Sequence, residues 1–260
     1  MRFCGLKKKF LFMSVLLWIM AFSGYALAAH WGYEGETGPG HWGAMNPDYG
    51  LAIGNRQSPV DIVESAISGH GKTLSVHYRD GYFTIINNGH TIQCAPIATG
   101  ENYITLDGEK YELQQFHLHA PAEHTINGTA PDMELHFVHR DATGRLAVMA
   151  LFFDKGDENA ALSAAWSEIA KFDERAKPKP LKDILAITNL LPENLATIQY
   201  NGSLTTPPTN EGVLWVVLKG HAKASMAQLS AFNSTIGNNA RPTQPLNGRI
   251  FYESENGDRN

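Results

Sequence analysis

The chain has 260 residues, 43% of them hydrophobic and 18% charged, which is enough apolar content for one or two domains with a packed core. Its 21 Lys+Arg against 26 Asp+Glu give a formal net charge of −5, and beyond the first 28 residues no basic stripe or cluster remains, so a nucleic-acid or anionic-membrane surface is not expected. Two cysteines exclude a disulfide-built scaffold.

The first 28 residues differ in kind from the rest. Arg2 and Lys7 to Lys9 form a basic start, residues 10–22 an apolar core, and Ala26-Leu27-Ala28 a small-residue cleavage site. This predicts a secretory signal peptide, cleaved after Ala28 or Ala29, rather than a membrane anchor, because the apolar core is short for a span. Cys4 precedes that core and is not placed as a lipoprotein cysteine. Cleavage removes four basic residues and no acidic ones, leaving 17 Lys+Arg against 26 Asp+Glu, a net of −9, on residues 29–260. The expectation is an exported protein with no membrane association after cleavage, periplasmic or, in a source without an outer membrane, secreted. Cys94 is then the one remaining cysteine. It alternates with Gln93 in a strand-like run and reads as a buried small hydrophobe.

Residues 30–61 are rich in Gly, Pro and aromatics without a period, and read as irregular structure over a sheet. From 72 to 95 the pattern is short strands: Leu74, Val76 and Tyr78 alternate, Asp80-Gly81 turns, and residues 83–86 are apolar. Asn88-Gly89 is a tight-turn signal before His90, and Asp107-Gly108 turns a hairpin over 102–113.

That hairpin runs into the most informative stretch, 111–141. Gln115, His117 and His119 alternate, so they share one strand face while Phe116 and Leu118 point away. Glu134, His136 and Val138 repeat the arrangement in a second strand, with Leu135 and Phe137 opposite. If the strands pair, three imidazoles converge in the ligand set of a catalytic zinc with an open fourth position. Gln115 and Glu134, each two positions before a histidine, can accept from the nitrogen that does not ligate. Asp141 to Gly144 then turns into a strand over 146–153, and strands joined this tightly are antiparallel.

Residues 157–171 carry Leu162, Trp166 and Ile169, with Phe172 beyond, at helical spacing, with Asp157 as cap and Pro178 past the end. A shorter helix is expected over 225–236. Thr205-Thr206-Pro207-Pro208 reads as a rigid loop in which one proline is a candidate for a cis bond. No repeat or linker divides the chain. The expected fold is α+β, mainly β: one domain over 29–260 with a central, largely antiparallel twisted sheet, short peripheral helices and the zinc site on the sheet.

The runs QQFHLHAPAEH and MELHFVHRD resemble the zinc strands of the α-class carbonic anhydrases, in their bacterial exported form. The resemblance extends through His30-Trp31-Gly32-Tyr33, the run 57–62, the loop Gly202-Ser203-Leu204-Thr205-Thr206-Pro207-Pro208, and Asn239, Arg241, Pro242, Gln244, Pro245 and Leu246. It implies a zinc lyase for reversible hydration of carbon dioxide to bicarbonate and a proton through a zinc-bound hydroxide, with Zn2+ on His117, His119 and His136. Glu123 and Thr205 are implied to orient the nucleophile, Thr206 to add a hydroxyl, and His90 to relay the proton, flanked by Asn88 and Gln93. Val138, Val148, Leu204 and Trp215 are implied as the apolar wall, Tyr33 as a rim residue and Asn239 as a supporting partner. Many exported members carry a disulfide from the segment before Gln-Ser-Pro to the residue after the loop prolines. Here residues 50–56 hold no cysteine and Thr209 follows Pro208. Such a bridge contributes roughly 4–5 kcal/mol on the chain-entropy account.

Two alternatives stand beside this reading. His117-x-His119-x3-Glu123 also begins a cupin metal motif in which the glutamate ligates, although no Gly-Pro-Gly-containing second motif leads into His136. A catalytically silent binding module of the same fold is the other. The sequence leaves oligomeric state open.

Overall fold

Alternation decides which faces the central strands bury. The computed structural model describes residues 30–169, 177–255 and 257–259; the signal-peptide reading falls outside them, as do residues 170 and 171 of the helix expected over 157–171 and Phe172 beyond it. Its central strands are β1 (Phe83–Asn87), β2 (Ile92–Pro96), β3 (Glu109–His119), β4 (Met133–Arg140), β5 (Leu146–Lys155), β6 (Thr197–Ser203) and β7 (Glu211–Leu218). They lie in one sheet in the order β1-β2-β3-β4-β5-β7-β6, extended on one side by Lys179–Pro180 and on the other by Phe251–Ser254 and Ile67–His70. Antiparallel pairs predominate, as expected. The β5–β7 join is parallel, so the sheet is mixed.

Met133, Leu135 and Phe137 of β4, with Ala147, Met149, Leu151 and Phe153 of β5, face one core, covered by Leu162, Leu229 and Phe232. Each of the Leu, Phe and Met side chains stabilises the fold by about 1.5–3 kcal/mol through burial. Val148, Ala150 and Phe152 of β5, with Val213, Trp215 and Val217 of β7, form a second cluster on the other face, where the histidines lie. The irregular stretch over 30–61 contains short helical turns, Gly35–Thr37, Trp42–Met45 and Pro47–Ile53, and ends in a two-residue strand, Asp61–Ile62, paired with Thr125–Ile126.

Two hairpins follow the turn residues. β1 and β2 join through Asn88 and Gly89 (φ +84°), and Tyr103–Leu106 joins β3 through Asp107 (φ +52°) and Gly108 (φ +82°), the left-handed pair that a tight hairpin turn needs. The Asp80-Gly81 turn departs from expectation. Leu74–His77 pairs with Tyr103–Leu106 and Gly257–Arg259, not with β1. Asp80 Oδ1 is captured by the backbone N–H (3.1 Å) and hydroxyl (2.7 Å) of Thr188, and Gly81 bonds to Leu185, so the turn is tied to a distant segment.

Asp157 does not cap the helix. Asn159 does, accepting from Ala161 N at 3.1 Å, ahead of a short turn at Ala160–Leu162 and an α-helix at Ser163–Ile169. Asn159 prevails because its backbone N–H also reaches Gln228 Oε1 at 2.9 Å, tying this end to helix Met226–Ile236. That second helix is capped reciprocally by Ser225 and Gln228. Among the described residues no helix is long and apolar enough to cross a membrane.

Candidate metal centre

The pairing of β3 with β4 sets His117 directly opposite His136, and His119 opposite Glu134. The three rings stand with centroids 5.1 Å (His117–His119), 5.3 Å (His117–His136) and 4.6 Å (His119–His136) apart, and one nitrogen of each lies within 4.8 Å of the others.

Each ring is held from behind by an oxygen. His117 Nδ1 lies 2.8 Å from Gln115 Oε1, His119 Nδ1 2.8 Å from the Asn239 carbonyl, and His136 Nε2 2.7 Å from Glu134 Oε1. These oxygens accept, so the facing nitrogens carry the hydrogens and the other nitrogens keep their lone pairs. His119 Nε2 is buried and has no partner among the described residues. An orphaned buried acceptor costs about 1–3 kcal/mol, and a metal ion removes that cost. Burial holds all three imidazoles below their usual pKa, His119 at about 4, so each is neutral at pH 7 as a ligand must be. The donor set therefore fits a zinc ion with three histidines and an open position.

Glu134 does more than its spacing announced. Oε1 also receives His124 Nδ1 at 2.6 Å, and Oε2 accepts the backbone N–H groups of Glu123 and His124, both at 2.8 Å. Burial alone would raise its pKa; the electrostatic pull of, and the hydrogen bonds from, His124 and His136 outweigh that and keep it well below the carboxylate range. His124, Glu134 and His136 thus lie close enough to form a second ligand cluster, but the two nitrogens on Glu134 are hydrogen-bond donors, so this cluster is a support. The support continues through His124 Nε2 to the Tyr200 hydroxyl (2.6 Å), and from there to Ser58 Oγ (2.9 Å). Sequence reasoning missed His124, Tyr200 and Ser58, because three distant segments meet there and no local period marks them.

Glu123 is fully buried. Its Oε1 accepts the Arg241 backbone N–H at 2.9 Å, while Oε2 lacks a full partner. Burial raises its pKa to about 7, against opposing effects from His136, the Arg241 bond and the nearby Thr205 hydroxyl. Thr205 is itself buried and Thr206 half-buried, in a loop with a cis Pro207–Pro208 bond. The Tyr33 hydroxyl is buried and without a partner among the described residues, and burial with the Glu123 charge raises its pKa.

The apolar residues fall in line across three strands. Val138 faces Val148, and Val148 faces Trp215, with Leu204 packed on the same cluster. The Trp215 ring lies 4.8 Å from His136 and 4.7 Å from His124. Gln93 stands directly across from His117. The His90 ring stacks on Trp31 at 3.6 Å and 8°, with its pKa lowered by burial and by His30. Its backbone is pinned on both sides, the N–H to Asn88 Oδ1 (3.0 Å) and the carbonyl to Asn239 Nδ2 (3.0 Å). Asn88 therefore spends its side-chain oxygen on the turn.

A mainly β domain with three neutral histidines converging from two paired strands defines a metalloenzyme of the three-histidine zinc type. The chain belongs to the carbonic anhydrase family: the family model described as eukaryotic-type carbonic anhydrase matches residues 37–255. Carbonic anhydrases from Klebsiella pneumoniae (45% identity over 229 residues, 87% of this chain and 92% of that one) and Neisseria gonorrhoeae (39% over 243 residues, 92% and 94%) are similar to it. So is the structure of α-carbonic anhydrase from Thermovibrio ammonificans in complex with the inhibitor sulfanilamide (42% identity, 86% of this chain and 99% of that one, TM-score 0.80). The protein is accordingly a carbonic anhydrase, a zinc lyase acting on carbon dioxide and bicarbonate. The cupin and silent-module readings are not favoured: Glu123 Oε1 stands 3.4 Å from His119 Nδ1 and Oε2 3.9 Å from His136 Nδ1, but the set whose ligand atoms all lie within 4.8 Å of one another is His117, His119 and His136 without it.

Proposed function

We propose that this chain performs reversible hydration of carbon dioxide at a zinc ion held by His117, His119 and His136. The observation that carries the reading is the buried, unpartnered His119 Nε2 beside two other neutral imidazoles. Bound Zn2+ supplies the Lewis acidity that makes a hydroxide nucleophile from water near pH 7, a known property of carbonic anhydrases as a family.

The remaining work falls to the chain's own groups. Glu123 takes the proton of the Thr205 hydroxyl as hydrogen-bond acceptor, so the Thr205 oxygen must itself accept from whatever stands before it. That obligation orients the nucleophile and discriminates against ligand atoms that carry a proton. With Zn2+ held by the three neutral histidines, the carboxylate form of Glu123 is favoured. Thr206 and Tyr33 add polar groups near this pair. Val138, Val148, Leu204 and Trp215 keep water away from carbon dioxide. His90 carries the released proton to buffer on its imidazole, with Asn88 and Gln93 flanking. Residues 1–28 are proposed to direct export and 29–260 to form the catalytic domain.

Thr205→Val and Glu123→Gln test the assignment. Each is expected to lower kcat/KM for carbon dioxide by about 10²–10³, with zinc still bound at one per chain. Wild-type turnover in a zinc-loaded Thr205→Val protein would overturn it.

A further inference from the structure

Arg241 is 2% exposed and makes no salt bridge among the described residues. Buried cations are costly, and simple packing would be served by an apolar residue. Burial lowers its pKa only to about 10, so it stays charged at neutral pH. Its guanidinium instead gathers oxygens from the irregular amino-terminal segment: Nη1 donates to Gln57 Oε1 (2.9 Å) and to the Ser58 carbonyl (2.7 Å), and Nη2 to the Ala52 carbonyl (3.1 Å). The group lies over Trp42, 5.4 Å from the ring centroid.

Gln57, fixed by that bond and also 2% exposed, uses its amide to donate to the Thr209 carbonyl and to Glu211 Oε1, both at 3.2 Å. Thr209 closes the loop that carries Thr205: its N–H donates to the Thr206 carbonyl (2.9 Å), and Leu204 N donates to the Asn210 carbonyl (3.0 Å). Thr209 itself sits at φ +58°, a conformation a β-branched residue adopts only when its surroundings impose it. Meanwhile the Arg241 backbone N–H holds Glu123 Oε1. One residue therefore grips Glu123 by its main chain and, through Gln57, the far end of the Thr205 loop by its side chain.

We infer that Arg241 is a positioning residue that, acting through Gln57, sets the Thr205–Thr209 loop in register with Glu123. This rests on the reading of Glu123 and Thr205 given above. Gln57→Met cuts the link to Thr209 while leaving Arg241 in place, and Arg241→Lys keeps the charge but loses the fork. In zinc-loaded full-length protein, both variants are expected to exchange the Leu204 and Thr209 amides at least about tenfold faster for deuterium, with the His117 and His136 amides unchanged. Both should lower kcat/KM by about tenfold and displace the midpoint of its pH profile, zinc content remaining at one per chain. If Gln57→Met does not fold, Gln57→Asn, shorter by one methylene, puts the same question. Variants that lose melting temperature but keep wild-type loop exchange and pH profile would overturn the inference, leaving Arg241 a stabilising residue only. Inactive zinc-loaded wild type would instead defeat the proposed function, and loop exchange would still decide this point.

Discussion

The backbone carbonyl of Asn239 lies 2.8 Å from Nδ1 of His119, so a residue 120 positions further along the chain fixes the tautomer of the most buried of the three ligand imidazoles. The side chain of Asn239 secures that contact, accepting from Ala120 N (2.9 Å) and donating to the Leu118 carbonyl (2.9 Å) and the His90 carbonyl (3.0 Å). Asn239→Ala should therefore keep the fold yet weaken zinc binding by about 10–100-fold. Competition with a chelator of known affinity measures this, and an unchanged zinc Kd would refute it.

His90→Ala should slow turnover in dilute, non-imidazole buffer while leaving the carbon dioxide step nearly intact, and a small imidazole buffer should restore much of the loss. Half-burial and the neighbouring His30 keep the ring's pKa below its ordinary 6.5 in the free enzyme. Proton NMR titration should find it there. A mutant indistinguishable from wild type in weak buffer would leave His90 a rim residue.

Strand alternation made much of this site legible. His117, His119 and His136 could be assigned a common face, and Gln115 and Glu134 a supporting role, because a period of two fixes which side chains meet across a pair. The position of Asn239 was marked by resemblance alone. What stayed hidden arises from contacts between segments far apart in the chain. His124 sits in a connection with no period, and it becomes a prop only when Tyr200 and Ser58 arrive from β6 and the amino-terminal segment. Likewise the partner of Leu74–His77 depends on Asp80 being captured by Thr188, 108 residues away. The choice of Asn159 over Asp157 as cap depends on Gln228 in another helix.

His139, on the core face of β4, gives a pH dependence independent of the metal. It is fully buried with Nε2 2.7 Å from the Tyr78 hydroxyl, and burial drives its pKa down to about 3. Because the folded pKa lies below the unfolded value of about 6.5, the unfolded chain takes up the proton first. Stability is then full above pH 6.5 and declines as pH falls toward 3, by up to about 5 kcal/mol from this group. The double variant His139→Leu/Tyr78→Phe removes both polar partners and should flatten the fall in Tm over that window. An equally steep fall would place its origin elsewhere.

Cys94 is 1% exposed and burial raises its thiol pKa, which makes it unreactive. Thr209, at the position where exported relatives were expected to carry a bridge, is held by hydrogen bonds instead. Tm and activity should therefore be the same with and without reductant. Protein lacking residues 1–28 and made in a reducing cytoplasm should bind zinc and turn over. A drop in Tm on adding reductant to the monomer would contradict this.

The central claim is that His119, His117 and His136 hold the zinc that hydrates carbon dioxide. Its most direct test is stopped-flow hydration measured alongside zinc content on the same samples of wild type and His119→Ala. The account predicts one zinc per chain with rates far above buffer for wild type, and loss of most zinc together with nearly all activity in the variant. A zinc-free His119→Ala protein that still hydrates carbon dioxide at the wild-type rate would contradict it.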